Sequence, residues 1–170
     1  TGPTGPTGRC SCSCRSRGQL ITNGGMETRN NDKPIDWIIT NPNGVMSVNS
    51  EGRVHSGNWA VNIENDSSIE QNIPINECGC YYILSFFARG EGSQVGLVAS
   101  VVFETSNGNV DGGSITIRQQ DIPNSNRDFG FYQLVTTAAP SNVTGIKVKF
   151  YVSADGGQSL DLDDVSLIVA

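Results

Sequence analysis

Run after run of apolar and β-branched residues, cut by glycine-bearing turn dipeptides, constrains this fold more than any other feature. The runs occupy residues 20–22, 37–40, 45–48, 59–63, 69–73, 81–88, 95–104, 114–117, 131–137, 146–153 and 160–168. Between them stand Asn23-Gly24, Asn43-Gly44, Asn107-Gly108, Asp111-Gly112-Gly113 and Asp155-Gly156-Gly157, each a turn signal. No window carries a 3.6-residue period. About ten short strands at this spacing predict an all-β chain: two antiparallel sheets packed face to face as a jelly-roll β-sandwich. At 170 residues the chain is long enough to bury a core of its own.

Alternation assigns the faces. In residues 81–89, Tyr82, Leu84, Phe86 and Ala88 share one side and read as core. Tyr81, Ile83, Ser85, Phe87 and Arg89 share the other, a mixed face expected to line a groove or a subunit interface.

Seventeen acidic against eleven basic residues leave a net charge of −6, which argues against a nucleic-acid partner. No apolar run approaches the roughly 18 residues of a membrane span. The N-terminus behaves differently from the rest. Gly2, Gly5 and Gly8 recur every third residue, with Pro at positions 3 and 6. Glycine alone fits the crowded axis of a collagen triple helix, so residues 1–8 read as the end of a collagen-like, triple-helical stalk. The chain starts in mid-repeat without an initiator Met, and is expected to be a piece of something longer. Residues 9–18 form a cysteine-rich connector, and residues 19–170 the head.

Five cysteines are an odd number, and they fall in two alternating clusters: Cys10, Cys12 and Cys14, then Cys78 and Cys80. In extended chain each cluster presents its thiols to one side, which favours pairing across the two rows or across chains. Interchain disulfides among all five are the first expectation. Intrachain pairs with one thiol left over, and a Zn²⁺ or Cu⁺ thiolate site, are the alternatives. Arg9, Arg15 and Arg17 flank the first cluster and lower its thiol pKa, easing oxidation. Such clusters suit an oxidising, extracellular setting.

Three stretches go beyond generic strand chemistry: LITNGGMET, VHSGNWAVNI and LDLDDVSLIV, in that order, with SIEQNI and YYILSFFARG between them. Together they resemble the jelly-roll carbohydrate-binding-module superfamily, related to galactose-binding-like domains, over residues 19–168. The resemblance implies a structural Ca²⁺ held by Glu27, backbone oxygens around Ser56–Asn58, and Asp163. A hard cation wants several oxygen ligands and relieves repulsion among acids such as Asp161, Asp163 and Asp164. Alternation puts Asp163 beside core-facing Val165 and Leu167, so it needs a partner or an ion. In the family pattern the positions of Trp37 and Trp59 are usually core. The sugar-binding candidates are therefore Gln71, Tyr81, Arg89, Gln133 and Lys149, polar or aromatic side chains expected on the outward strand faces.

A stalk of Gly-Pro-Thr triplets capped by a head is similar to the collagen-like surface proteins of Bacillus-type spore formers. That likeness implies homotrimeric heads, filaments on the spore's outermost layer (exosporium or appendage), and sugars on Thr1, Thr4 and Thr7. Spore appendage subunits, jelly rolls cross-linked through N-terminal cysteines, are a related comparison. His55 is the only histidine and sits in a turn, so no Ser/His/Asp arrangement assembles around a second base, and no enzyme is expected. The sequence thus points first to a structural subunit of a surface filament, stapled as a trimer. A carbohydrate-binding adhesin using the same head comes second, and an accessory module of a glycoside-acting enzyme third.

Overall fold

The computed structural model describes residues 13–15 and 17–170; Thr1, Thr4, Thr7, Cys10 and Cys12 lie outside them. The strands are β1 (Arg29–Asn30), β2 (Lys33–Pro34), β3 (Ile38–Thr40), β4 (Val45–Val48), β5 (Ala60–Glu64) and β6 (Ser67–Pro74). They continue with β7 (Tyr82–Glu91), β8 (Val95–Thr105), β9 (Gly108–Ile117), β10 (Gly130–Val135), β11 (Val143–Ala154) and β12 (Ser159–Val169). The first two form a small hairpin. The rest make two antiparallel five-stranded sheets, in the orders β10-β7-β12-β5-β4 and β3-β6-β11-β8-β9. This is the jelly-roll sandwich the punctuation predicted. Among the described residues no helix is long and apolar enough to cross a membrane.

The inward faces meet as alternation requires. Tyr82, Leu84, Phe86 and Ala88 of β7 are wholly buried, opposite Ile69, Phe103, Ile146, Val148 and Phe150 of the second sheet. Phe86 sits edge-on to Phe150 at 5.0 Å, a geometry that suits the ring quadrupoles. Trp37 joins this core, edge-on to Phe150, with its indole N–H donating to the Asn23 carbonyl at 3.1 Å.

Local departures each have a cause. Residues 20–22 form no strand. They lie as a strap along the sandwich, held where Leu20 N–H donates to the Leu167 carbonyl at 2.8 Å. Asp111-Gly112-Gly113, predicted as a turn, runs inside β9 as a bulge opposite Val101 and Val102. A Cβ on Gly112 would stand 2.9 Å from the Val101 carbonyl oxygen, and Gly113 adopts φ +129°, so the bulge needs both glycines. β12 carries a second irregularity between Asp163 and Ser166, with Asp164 at φ +48°. It reverses the phase of the strand. Asp163 therefore stands opposite Phe87 on the outer side, and does not share the core face with Val165 and Leu167.

The cysteine expectation changes as well. Cys14 and Cys80 form a disulfide within one chain, with Cα atoms 5.5 Å apart. The bond runs from one cysteine cluster to the other, a pairing that parallel thiol rows allow within a chain as well as between chains. Gly79 takes φ +72°, and its N–H donates to the Ala139 carbonyl at 2.7 Å, turning Cys80 into the interior. Arg17 forms an ion pair with Glu77, a second tie between connector and head. Cys78 is buried beside this junction.

Candidate functional site

The outward face of the β10-β7-β12 half of the first sheet is a grid fixed by register. Phe131, Phe87 and Asp163 form one row; Gln133, Ser85 and Ser166 the next; Val135, Ile83 and Ile168 the third. Rows lie about 7 Å apart along the strands. Two loops fold over the first row. His55 from the 49–59 loop stacks flat on Phe87 with ring centroids 3.6 Å apart, and Phe129 from the 118–129 loop approaches His55 edge-on at 5.6 Å. Phe131 completes the cluster, 5.1 Å from Phe87 and 56% exposed. Four rings thus gather at one end of the face. Gln133, Ser85 and Ser166 offer amide and hydroxyl groups in the adjacent row. Rings supply a flat apolar surface, and neighbouring polar groups pair with hydroxyls, so the arrangement matches what a sugar ring presents.

A buried charge network holds the two loops down. Asp161 on β12 is inaccessible to solvent, yet its carboxylate accepts from Arg53 at 2.8 and 3.0 Å, from Arg89 at 2.7 Å and from the Asn62 amide at 2.8 Å. Arg89 reaches further, donating to Glu91 at 2.7 Å, to the Ser125 carbonyl at 2.8 Å and to the Asn126 side chain at 3.2 Å. Two guanidinium groups balance two carboxylates, and no buried side-chain nitrogen or oxygen of the cluster lacks a partner, the condition for a buried ion cluster to persist. Arg53 belongs to one loop, while Ser125 and Asn126 belong to the other. Asp161 ties the first loop to the sheet through Arg53, and Arg89 ties the second.

That assignment corrects the expectation for Arg89. It is 3% exposed and spent on protein partners, so it positions the 118–129 loop beside the rings and is not available to a sugar. Gln71 is also corrected: at 5% exposure it faces inward between Ile69 and Ile73. Its amide accepts from Thr22 N–H and donates to the Thr22 and Asp36 carbonyls, doing for the strap what a neighbouring strand would. Gln133 lies on the ring-bearing sheet and Tyr81 directly precedes β7 of that sheet; both are exposed. Lys149 lies on β11 of the other sheet, so the five sugar-binding candidates do not converge. Trp59 is half-buried with the Arg29 guanidinium 3.7 Å from its ring. The ring cluster escaped the sequence reading because His55 and Phe129 reach it through loops; its one legible member was Phe87 on the mixed face.

Glu27 and Asp163, the acids expected to hold Ca²⁺, both reach the 55–59 turn. Glu27 accepts from the backbone N–H groups of Asn58 and Trp59 at 2.7 and 2.9 Å, and these hold its carboxyl below the usual range against burial and the nearby Asp164 charge. Asp163 accepts from the N–H groups of His55 at 2.9 Å, Ser56 at 3.2 Å and Asp164 at 2.7 Å. Burial, with repulsion from Asp164, nevertheless pushes its carboxyl up to about 7. Asp164 in turn binds His55 Nδ1 at 2.6 Å and the Ser56 hydroxyl at 2.9 Å. Among the described residues no lysine or arginine pairs with Glu27, Asp163 or Asp164. Crowded hard oxygens without a cationic partner fit Ca²⁺ in kind. Several of these oxygens are nonetheless occupied by backbone N–H groups. Among the described residues no group of three His, Cys, Asp or Glu side chains stands in metal-holding geometry.

No protein-family model matches the chain, and no curated protein matches it in sequence. Solved structures match its fold. TmCBM61, in complex with β-1,4-galactotriose, superposes with a TM-score of 0.68 at 18% identity, over 89% of this chain and 99% of that one. A family 16 carbohydrate-binding module gives 0.59 at 16% identity, over 87% and 98%. A cyclase from Fischerella sp. TAU gives 0.66 at 13% identity, over 92% and 98%. The head therefore has the jelly-roll sandwich of carbohydrate-binding modules, a fold that also carries an enzyme.

Proposed function

We propose that the head is a non-catalytic carbohydrate-binding domain, displayed on a collagen-like stalk at a cell or spore surface. The observation that carries this reading is the ring cluster of His55, Phe87, Phe129 and Phe131, open at Phe131 and bordered by Gln133, Ser85 and Ser166. Two of the matching folds are carbohydrate-binding modules by name, which supports it. The acids around the rings speak for binding over catalysis, since Asp161, Asp163 and Asp164 are each engaged by arginine, backbone N–H or His55. A disulfide between connector and head suits an oxidising compartment. A structural Ca²⁺ at Glu27 and Asp163, completed by oxygens of the 56–58 turn, belongs to the same reading; it would neutralise the acids and fix the turn that carries His55.

A glycan array followed by titration calorimetry tests the reading. Phe131→Ala should weaken binding of whichever oligosaccharide is retained by about tenfold, the equivalent of about 1.4 kcal/mol. Lys149→Ala, on the opposite sheet, should leave it unchanged. An array that retains nothing, or affinity indifferent to Phe131→Ala, would refute the assignment.

A further inference from the structure

The other end of the same sheet face is a separate surface. Ile168, Ile83 and Val135 lie in one row across β12, β7 and β10, and Tyr81 stands two residues before Ile83 on the same side. Tyr81 is 52% and Val135 57% exposed, and Ile168 is exposed beside them. The polar row of Gln133, Ser85 and Ser166 divides this patch from the rings, about 13 Å away along the strands. Contiguous apolar side chains left facing water in this way mark a contact surface.

The neighbouring chain tells what covers it. Tyr81 directly follows Cys80, whose sulfur is bonded to Cys14, and Arg17 is paired with Glu77. The N-terminal connector is therefore tied to the head beside the patch. Upstream, residues 1–8 carry glycine at every third position, and six residues of chain run from Gly8 to Cys14. Six residues reach at most about 20 Å. A collagen-type helix is made by three chains, so a stalk ending at Gly8 would hold three heads within that reach, tied at Cys80.

We propose that the Tyr81, Ile83, Val135 and Ile168 patch is the surface through which three copies of this head meet around the stalk axis. Side chains close to a threefold axis meet their own counterparts. Uncharged apolar groups tolerate that, whereas each chain's net charge of −6 would repel across any acidic surface. The contact can be small, because a short tether supplies an effective concentration of about 1 mM, and millimolar affinity is enough to close it. The ring clusters, at the far end of each face, stay free for ligand. The inference rests on the stalk reading of residues 1–8 and is independent of the glycan reading.

Sedimentation equilibrium of the full chain, carried up to about 1 mM, is the test. The chain should form a trimer, and the exposed-site double variant Val135→Lys, Ile168→Lys should dissociate at least tenfold more readily. Val110→Lys, an exposed apolar position on the other sheet, should associate as the parent does. If the double variant melts early, Tyr81→Asp carries the same expectation. Removing residues 1–8 should leave the association in place, since the patch lies wholly in the head. A monomer at about 1 mM, a dimer, a trimer indifferent to the patch variants, or loss of association on removing residues 1–8 would each overturn the proposal. None of these outcomes touches sugar affinity, which is read separately by titration.

Discussion

Breaking the Cys14–Cys80 bond offers a quantitative check on how the connector is fastened. The bond spans 66 residues. Chain-entropy loss in the unfolded state for a loop of that length corresponds to about 4 kcal/mol. Some of this returns on reduction, because the chain around Cys14 is then freed; one or two backbones at about 1 kcal/mol each return at most about 2 kcal/mol. A net loss of about 2–4 kcal/mol is expected, and a domain of this size loses about 2–4 °C of melting temperature per kcal/mol. Thermal unfolding followed by circular dichroism, with and without a phosphine reductant, should therefore show a fall of about 4–16 °C. Cys14 is exposed and Cys80 fully buried, so Cys14→Ala removes the bond without opening a cavity. In reductant, Cys14→Ala should melt with the reduced parent. A fall below about 2 °C in both experiments would mean that the connector contributes no constraint, and the entropic reasoning would be wrong.

Two further outcomes follow from the buried acids. Arg89→Met strips Asp161 of one of its two guanidinium partners and should lower the urea unfolding free energy by about 3 kcal/mol; an unchanged midpoint would return Arg89 to the list of surface residues. Asp163 should make stability depend on pH in the direction opposite to most carboxylates. Its carboxyl is held at about 7 in the fold, against about 4 when unfolded, so its contribution is present below about pH 4 and is lost as pH rises towards 7. In chelator the melting temperature should fall between about pH 5 and about pH 7.5, and excess Ca²⁺ should abolish the fall by standing where the proton did. Equal slopes in chelator and calcium would refute the metal; a flat profile in chelator would refute the buried acid.

Strand positions were legible because a half-buried strand must alternate, and β7 does so without interruption from Tyr82 to Ala88. What alternation cannot convey is the cover over a face. Arg89 was correctly placed outside the core, yet the 49–59 and 118–129 loops close over it. Gln71 defeated the pattern differently: an amide inside the sandwich is tolerable only because the Thr22 and Asp36 backbone groups meet it, and that strap is remote in sequence. Asp163 was assigned to the wrong face because one irregularity at Asp164 reverses every later side chain of β12. The convergence of Glu27, the 55–58 turn and Asp163 was carried by family likeness rather than by spacing. The ring cluster was invisible for a related reason, since two of its four members arrive on loops.

The disulfide also decides where a pull on the N-terminal chain enters the sandwich. Tension arriving from the N-terminal side of Cys14 has a covalent shortcut to Cys80, two residues before β7 begins. It need not travel through the strap, which hangs by a few hydrogen bonds of Gln19, Leu20 and Thr22 and would peel one contact at a time. β7 is hydrogen-bonded on both sides, to β10 and β12, so the load is spread over two ladders that must shear together. A sandwich moored in this way can be pulled from its N-terminal side while its sheets stay closed.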